Sequence, residues 1–296
     1  MNWTDNYQLS KANVRYIGKD LSRPECIVAE RYDTLWISDD RGALTKIDPT
    51  GRQSMLGEIG GAPNGLAMDR SGNFVVANVA DGTVYQLNRD GSHSVILSEV
   101  DGVAINESAN FVCFDSQDRL WITVSTRAVP RSEAISNPRP DGYIILVDDK
   151  GPRIVADGLM FTNELRLDAN EEFVYVAETT AARISKFPLN PDGSLGTRQI
   201  YGPDQLADDA LIDGICFDVE GNLWITEINR NGLLVLTPDG DVKTVFEDPT
   251  GEMIFFPTSI TFGGPDLKTA YVGSLKMDKV SVFDAPVAGL ALSHWT

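Results

Sequence analysis

Histidine is almost missing from this chain, which holds only His93 and His294 in 296 residues. His93 sits in the turn-like stretch DGSHSV and His294 in the C-terminal tail, so both read as surface or structural residues. Ester chemistry built on a His dyad or a Ser-His-Asp triad is disfavoured on that ground. No GxSxG elbow is present either. Cysteine is nearly as scarce. Cys26, Cys113 and Cys216 are odd in number, form no CxxC pair and each lie in an apolar run. A full disulfide framework and a structural zinc site are thereby excluded, and the thiols read as small hydrophobes. Positive charge is also short, with 25 Lys and Arg against 43 Asp and Glu and a formal net charge of −18. Phosphate backbones and anionic membranes are bound through clustered Lys and Arg, so neither is an expected partner. The N-terminus lacks a basic head followed by an apolar stretch, and no uninterrupted apolar run is long enough to cross a bilayer. The expectation is a cytoplasmic protein, monomeric or weakly dimeric because its acidic surface opposes tight self-association.

Long amphipathic helical patterns are absent as well, and a repeat stands in their place. Six segments align: RPECIVAERYDTLWIS, APNGLAMDRSGNFVVAN, SANFVCFDSQDRLWIT, FTNELRLDANEEFVYVAE, LIDGICFDVEGNLWIT and FFPTSITFGGPDLKTAYVG. Each begins near a polar residue, alternates apolar positions, turns on Asp, Gly or Asn and enters a second apolar strand, which is a β-hairpin pattern. The polar starters are Glu25, Asn64, Asn110, Asn163, Asp213 and Thr258, spaced by 39, 46, 53, 50 and 45 residues. That period matches propeller blades of four strands. Trp36, Trp121 and Trp224 each fall 11 residues after their starter and Tyr175 falls 12 after Asn163, so bulky aromatics keep the register. Further strand pairs with T-G, D-G and K-G turns lie between the hairpins. The predicted architecture is all-β: a six-bladed β-propeller of four-stranded blades around a central metal-binding channel, one domain over residues 1–296.

The first strand of each propeller blade lines the channel, so six equivalent starters converge at one mouth. A single Asn or Asp there would merely cap a strand entry. Six in register, two of them acidic, crowd charge on one axis, and a cation is expected to neutralise it. With oxygen donors and no His or Cys, the set suits one divalent ion, Ca²⁺ first, with Mg²⁺, Mn²⁺, Zn²⁺ and Fe²⁺ also open.

These segments resemble the regucalcin/gluconolactonase family of calcium-dependent, six-bladed propeller lactonases. The matching stretches are PEC at Glu25, FTNELRLD at Asn163, ANFVCFDSQDRLWIT at Asn110, DGICFDVEGNLWIT at Asp213 and the tail AGLALSHWT. The resemblance implies that Glu25, Asn163 and Asp213 hold the metal, that Asn110 touches the metal or substrate, and that Asp213 doubles as general base. Asn64 and Thr258 line the same channel as candidate substrate contacts. One departure stands out. Sugar lactonases of this family read Arg-x-Asn-Asp-Gly around the third-blade Asn, and the Arg grips sugar hydroxyls. This chain has Ser108, Asn110, Phe111 and Val112 there. An aromatic, Phe111, replaces a polar neighbour, and the expected substrate is a cyclic ester less polar than a sugar lactone.

Without a His base, the remaining route is metal-assisted opening of a lactone, with a carboxylate taking the proton of water. The stretch VSTRAVPRSEAISNPRPDG carries Arg127, Arg131 and Arg139 in a segment whose Pro, Ser and Gly argue against regular structure. It reads either as a solvated loop or as a lid in which Arg127 or Arg131 meets a carboxylate of substrate or product. Phe161, with Phe255 and Phe256, is a candidate wall of an apolar pocket. Two other readings stay open: a lyase, isomerase or carbon–carbon hydrolase using the same ring on a cyclic carbonyl compound, and a non-catalytic binding propeller in which a basic side chain neutralises the acids.

Overall fold

The computed structural model describes residues 3–295. Six antiparallel sheets of four strands each follow one another along the chain. Blade 1 is Ile27–Ala29, Leu35–Ser38, Leu44–Ile47 and Gln53–Leu56, and blade 2 is Pro63–Met68, Phe74–Asn78, Val84–Leu87 and His93–Leu97. Blade 3 comprises Ala109–Phe114, Leu120–Val124, Pro140–Asp148 and Gly151–Met160, and blade 4 Thr162–Leu167, Phe173–Glu178, Arg183–Pro188 and Gln199–Tyr201. Blade 5 runs Ile212–Phe217, Leu223–Glu227, Gly232–Leu236 and Val242–Phe246. Blade 6 takes Pro257–Gly263, Thr269–Ser274 and Val280–Asp284 from the end of the chain and its outermost strand, Arg15–Ile17, from the beginning. Each inner strand packs on those of both neighbouring blades, and that of blade 6 packs on that of blade 1. The ring is a six-bladed propeller, closed by pairing of its two chain ends. Arg15 donates to Asp284 across that seam at 2.7 and 3.0 Å.

The aromatic register has a local cause. In blade 5, Asp218 Oδ1 accepts from the backbone N–H of Glu220 (2.9 Å) and Asn222 (3.0 Å), while Oδ2 takes the Trp224 indole N–H at 3.1 Å. Gly221 supplies the left-handed residue of that turn, at φ +82°. One carboxylate thus folds the hairpin and satisfies the buried indole, which must otherwise lose its hydrogen bond to water. The device recurs at the same six-residue offset, with Asp115 accepting from Trp121 at 2.9 Å and Glu30 from Trp36 at 2.8 Å.

The starters sit at one end of the inner strands for a second reason. Asn64, Asn110, Asn163, Asp213 and Thr258 are each the second residue of their inner strand, and in all five blades the pairing register breaks there. A break in the ladder frees the residue from the regular pleat and re-aims it. Glycine makes the convergence possible: a Cβ on Gly65 would lie 2.4 Å from Phe111 Cα, and one on Gly214 would lie 2.5 Å from Ser259 Cα. The N-G and D-G pairs are therefore packing requirements between neighbouring blades.

Candidate metal centre and ligand cavity

At the starter end, Glu25 and Asn64 meet directly, Asn64 Nδ2 donating to Glu25 Oε1 at 2.9 Å. The same amide donates to Asn110 through its backbone oxygen at 2.9 Å and its Oδ1 at 3.2 Å. Asn110 Nδ2 donates to Ser125 Oγ at 2.7 Å. Asn163 Nδ2 donates to Thr179 Oγ1 at 3.0 Å, which fixes the amide so that its Oδ1 faces away from Thr179. That oxygen is buried without a donor, and so is Asp213 Oδ1. Thr258 uses its hydroxyl on the Glu25 carbonyl at 3.1 Å, so it ties blade 6 to blade 1. The six starters do converge, and they divide into a hydrogen-bonded arc and two residues with free acceptors.

Burial and mutual repulsion dominate the electrostatics. Desolvation pushes the Glu25 carboxyl up to about 7 against the pull of Arg23, and Asp213 is driven well above the usual carboxylate range by burial and by Glu25. A third carboxylate, Glu164, is pushed up to about 7 by burial although Arg166 lies 3.0 Å away. Arg23 donates to Asn64 Oδ1 and to the Pro63 carbonyl and lies 3.8 Å from Asp40, and together with Arg131 it pulls the Glu25 and Asp213 carboxyls back down without pairing with either. Among the described residues neither Glu25 nor Asp213 has a Lys or Arg nitrogen at ion-pair distance. No cluster of three or more His, Cys, Asp or Glu forms among them either. A cation here would draw on two carboxylates and one carboxamide. Glu25, the free Asn163 Oδ1 and the free Asp213 Oδ1 are hard oxygen donors, which fits such an ion.

Asn163 and Asp213 also line a cavity of about 430 Å³. Its walls are largely apolar and include Val79, Ile135, Phe161, Leu211, Ile228 and Phe256, with Arg131 reaching in. The stretch after the second strand of blade 3 is an ordered wall of this cavity. It contains a one-turn helix, Glu133–Ser136, where its composition argued against regular structure, because Ala128 and Ala134 bury against Phe161 and anchor it.

Two expected contacts fall elsewhere. Arg127 is outside the cavity: it forms a two-pronged pair with Asp157 at 2.8 Å for each bond, donates to the Asp141 carbonyl and stacks on Tyr143 at 4.3 Å. The arginine that the loop delivers is Arg131. Phe111 is also displaced. It follows Asn110 across the ladder break, points down the channel and carries the Arg166 guanidinium on its face at 4.4 Å. There Arg166 and Glu164 plug the axis among the free thiols of Cys26, Cys113 and Cys216. The tail seals the far end, with His294 Nε2 and Trp295 Nε1 both on the Ala29 carbonyl, at 2.8 and 2.9 Å. His294 is thus structural; Thr296, the last residue of the tail motif, lies outside the described residues. Arg23, Ser125, Glu164 and Thr179 had no recognisable signal in the sequence. Their roles arise from contacts between blades.

Comparison with known proteins agrees with this architecture. The chain is 26% identical over 257 residues to 6-deoxy-6-sulfogluconolactonase of Pseudomonas putida, covering 86% of this chain and 84% of that one. It superposes on a gluconolactonase from Xanthomonas campestris with a TM-score of 0.72 at 20% identity, covering 92% and 90% of the two chains. It superposes on the calcium-binding protein regucalcin from Agrobacterium tumefaciens with a TM-score of 0.72 at 16% identity, covering 95% and 98%. Residues 23–276 match the sequence profile of one family, and the chain belongs to it: the SMP-30/Gluconolactonase/LRE-like region family.

Proposed function

We propose that this protein is a metal-dependent lactonase, a carboxylic ester hydrolase that opens a lactone less rich in hydroxyls than a sugar lactone. The observation that carries the reading is the pair of buried, donorless oxygens, Asn163 Oδ1 and Asp213 Oδ1, at the wall of a 430 Å³ cavity beside Glu25. Glu25, Asn163 and Asp213 would hold one divalent ion, Ca²⁺ first. When bound, such an ion supplies Lewis-acid polarisation of an ester carbonyl and lowers the pKa of water. Asp213 accepts the proton of the attacking water on a carboxylate oxygen and returns it to the ring oxygen as the ester C–O bond breaks, leaving a hydroxy acid. Thr179 holds the Asn163 amide in one orientation, and Asn64 holds Glu25. The apolar walls exclude bulk water and suit a substrate with few hydroxyls, with Phe161 as its platform. Asn110 and Asn64 set the arc beside the substrate.

The Pseudomonas relative is named for action on a sulfogluconolactone, and the Agrobacterium neighbour is described as calcium-binding. Both support a small-molecule cyclic ester and a divalent cofactor. The binding-module reading requires a basic side chain to neutralise the acids and no bound metal; Arg23 and Arg131 pull on both carboxyls without reaching ion-pair distance among the described residues, and elemental analysis of the purified protein separates the two readings. We take residues 1–296 as one domain, cytoplasmic and monomeric or weakly dimeric, with its cysteines reduced. No helix among the described residues is long and apolar enough to cross a membrane.

The test is acid release from a panel of sugar, aliphatic and aromatic lactones by protein stripped with EDTA and reloaded with Ca²⁺, Mg²⁺, Mn²⁺, Zn²⁺ or Fe²⁺. Activity should vanish on stripping, return with a divalent ion and fall at least 1000-fold, the scale expected for losing an essential proton acceptor and ligand, in Asp213→Ala. Full turnover in EDTA or in Asp213→Ala refutes the reading.

A further inference from the structure

Arg131 is out of balance with its surroundings. Among the described residues it makes no ion pair, whereas Arg127 and Arg139 of the same loop pair with Asp157 and Glu133. Its hydrogen bonding is poor: Nη2 reaches Ser125 Oγ at 3.4 Å and the buried Nε has no acceptor. One face of the guanidinium rests on the Phe161 ring at 5.1 Å, which removes water from that side and fixes the plane. Phe161 is itself held at φ +57° and packed against Ala128 and Ala134, so the platform is rigid. Arg131 lines the same cavity as Asn163 and Asp213, and beside it stand Pro130, Ser132 and Ile135.

Arg23 has Asp40 and Asn64, and Arg166 has Glu164. Glu25 and Asp213 pull on Arg131 through space and Glu107 lines the same cavity, yet none of them is at ion-pair distance from it; with a divalent ion holding Glu25 and Asp213, Arg131 keeps N–H groups open to a ligand in a largely apolar space. A partly desolvated guanidinium without an anion is unfavourable. A flat, stacked guanidinium with unused N–H groups matches a carboxylate or sulfonate by two parallel bonds.

We infer that Arg131 is a specificity-determining residue that binds an anionic substituent, a carboxylate or sulfonate, carried on the lactone apart from its reacting ester. The inference deepens the lactonase reading and rests on it for the identity of the ring. It assigns the substrate class as an anionic lactone held between the metal ring and the Phe161–Arg131 pair. Ser125 stands between Arg131 and Asn110, bonded to both, and sets the distance between the two ends.

The experiment uses the full chain loaded with Ca²⁺ and three matched probes with few hydroxyls: δ-valerolactone and its counterparts bearing a carboxymethyl or a sulfomethyl group at the ring carbon next to the ring oxygen. Wild type should prefer both anionic probes. Arg131→Met should lose about 10- to 100-fold in kcat/KM on them, the scale of a charge-assisted contact, mainly through KM. On the neutral probe the loss should be at least about 5-fold smaller, so that the ratio of anionic to neutral kcat/KM falls. Arg131→Lys, which keeps the charge, should recover part of the loss and controls for folding. A second arm needs no turnover: titration calorimetry with tetrahydropyran and its 2-carboxymethyl derivative, where Arg131→Met should weaken only the carboxylate. Equal losses on charged and neutral probes, through kcat, would assign Arg131 to the reacting carbonyl and overturn the proposal. So would a wild type that does not discriminate in either arm. If wild type opens none of these lactones nor any of the wider panel yet binds the carboxymethyl ligand through Arg131, the hydrolysis reading fails and the anion site stands.

Discussion

Replacing Glu25 by Gln should make the metal-free protein more stable and the calcium-loaded protein less so. In the folded, metal-free chain burial lifts the Glu25 carboxyl from 4.5 to about 7. Each unit is worth about 1.4 kcal/mol, so the ionised side chain destabilises the fold by about 3 kcal/mol. The sign follows from proton binding. The folded state holds its proton more tightly than the unfolded one, so stability is intact below pH 4.5 and is lost as pH rises toward 7. Gln carries no charge and keeps an oxygen for the Asn64 Nδ2 donor, now 2.9 Å from Glu25 Oε1. In EDTA at pH 8 the variant should therefore melt on the order of 5 °C above wild type, and near pH 4.5 the two should coincide. Calcium at roughly 1,000-fold its Kd should raise wild type by about 4.1 kcal/mol and the variant by much less, reversing the order. Scanning calorimetry at both pH values, with and without calcium, reads all four states. A variant that melts at or below wild type in EDTA at pH 8, or that calcium stabilises equally, refutes the reasoning.

Gly214→Ala should destabilise the chain by about 3 kcal/mol in urea unfolding and weaken calcium binding, because the new Cβ would meet backbone atoms of blade 6 at 2.5 and 2.6 Å. Asp218→Ala should lose about 3 kcal/mol by orphaning the Trp224 indole and two backbone N–H groups, with Asp218→Asn recovering part in the same assay. Arg127→Ala should change stability by less than about 1 kcal/mol, since its pair with Asp157 is 41% and 52% exposed, and kcat/KM by less than about 2-fold. A large kinetic loss there would return Arg127 to the ligand site.

Much of the architecture was legible because each blade repeats its own local rules. The offset of 11 or 12 residues from starter to aromatic, the Asp, Gly and Asn turns and the alternation of inner strands are short-range patterns, and they align the six starters at one mouth. Alternation failed where the ladder breaks. It could not tell that Phe111 turns down the channel to Arg166, or that Glu164, next to Asn163, also faces the axis. Sequence also offered no means of choosing between Arg127 and Arg131, two basic residues four apart in one irregular stretch.

What the residues alone determined, then, is the number of blades, the register of each first hairpin and the oxygen-rich end of the channel, since those hairpins close within about 15 residues and recur at one blade period. Only the closed ring decided which starters keep free oxygens, which arginine lacks an anion and how far the acids are desolvated. Those properties depend on side chains from different blades sharing one buried volume, and no interval along the chain encodes that distance.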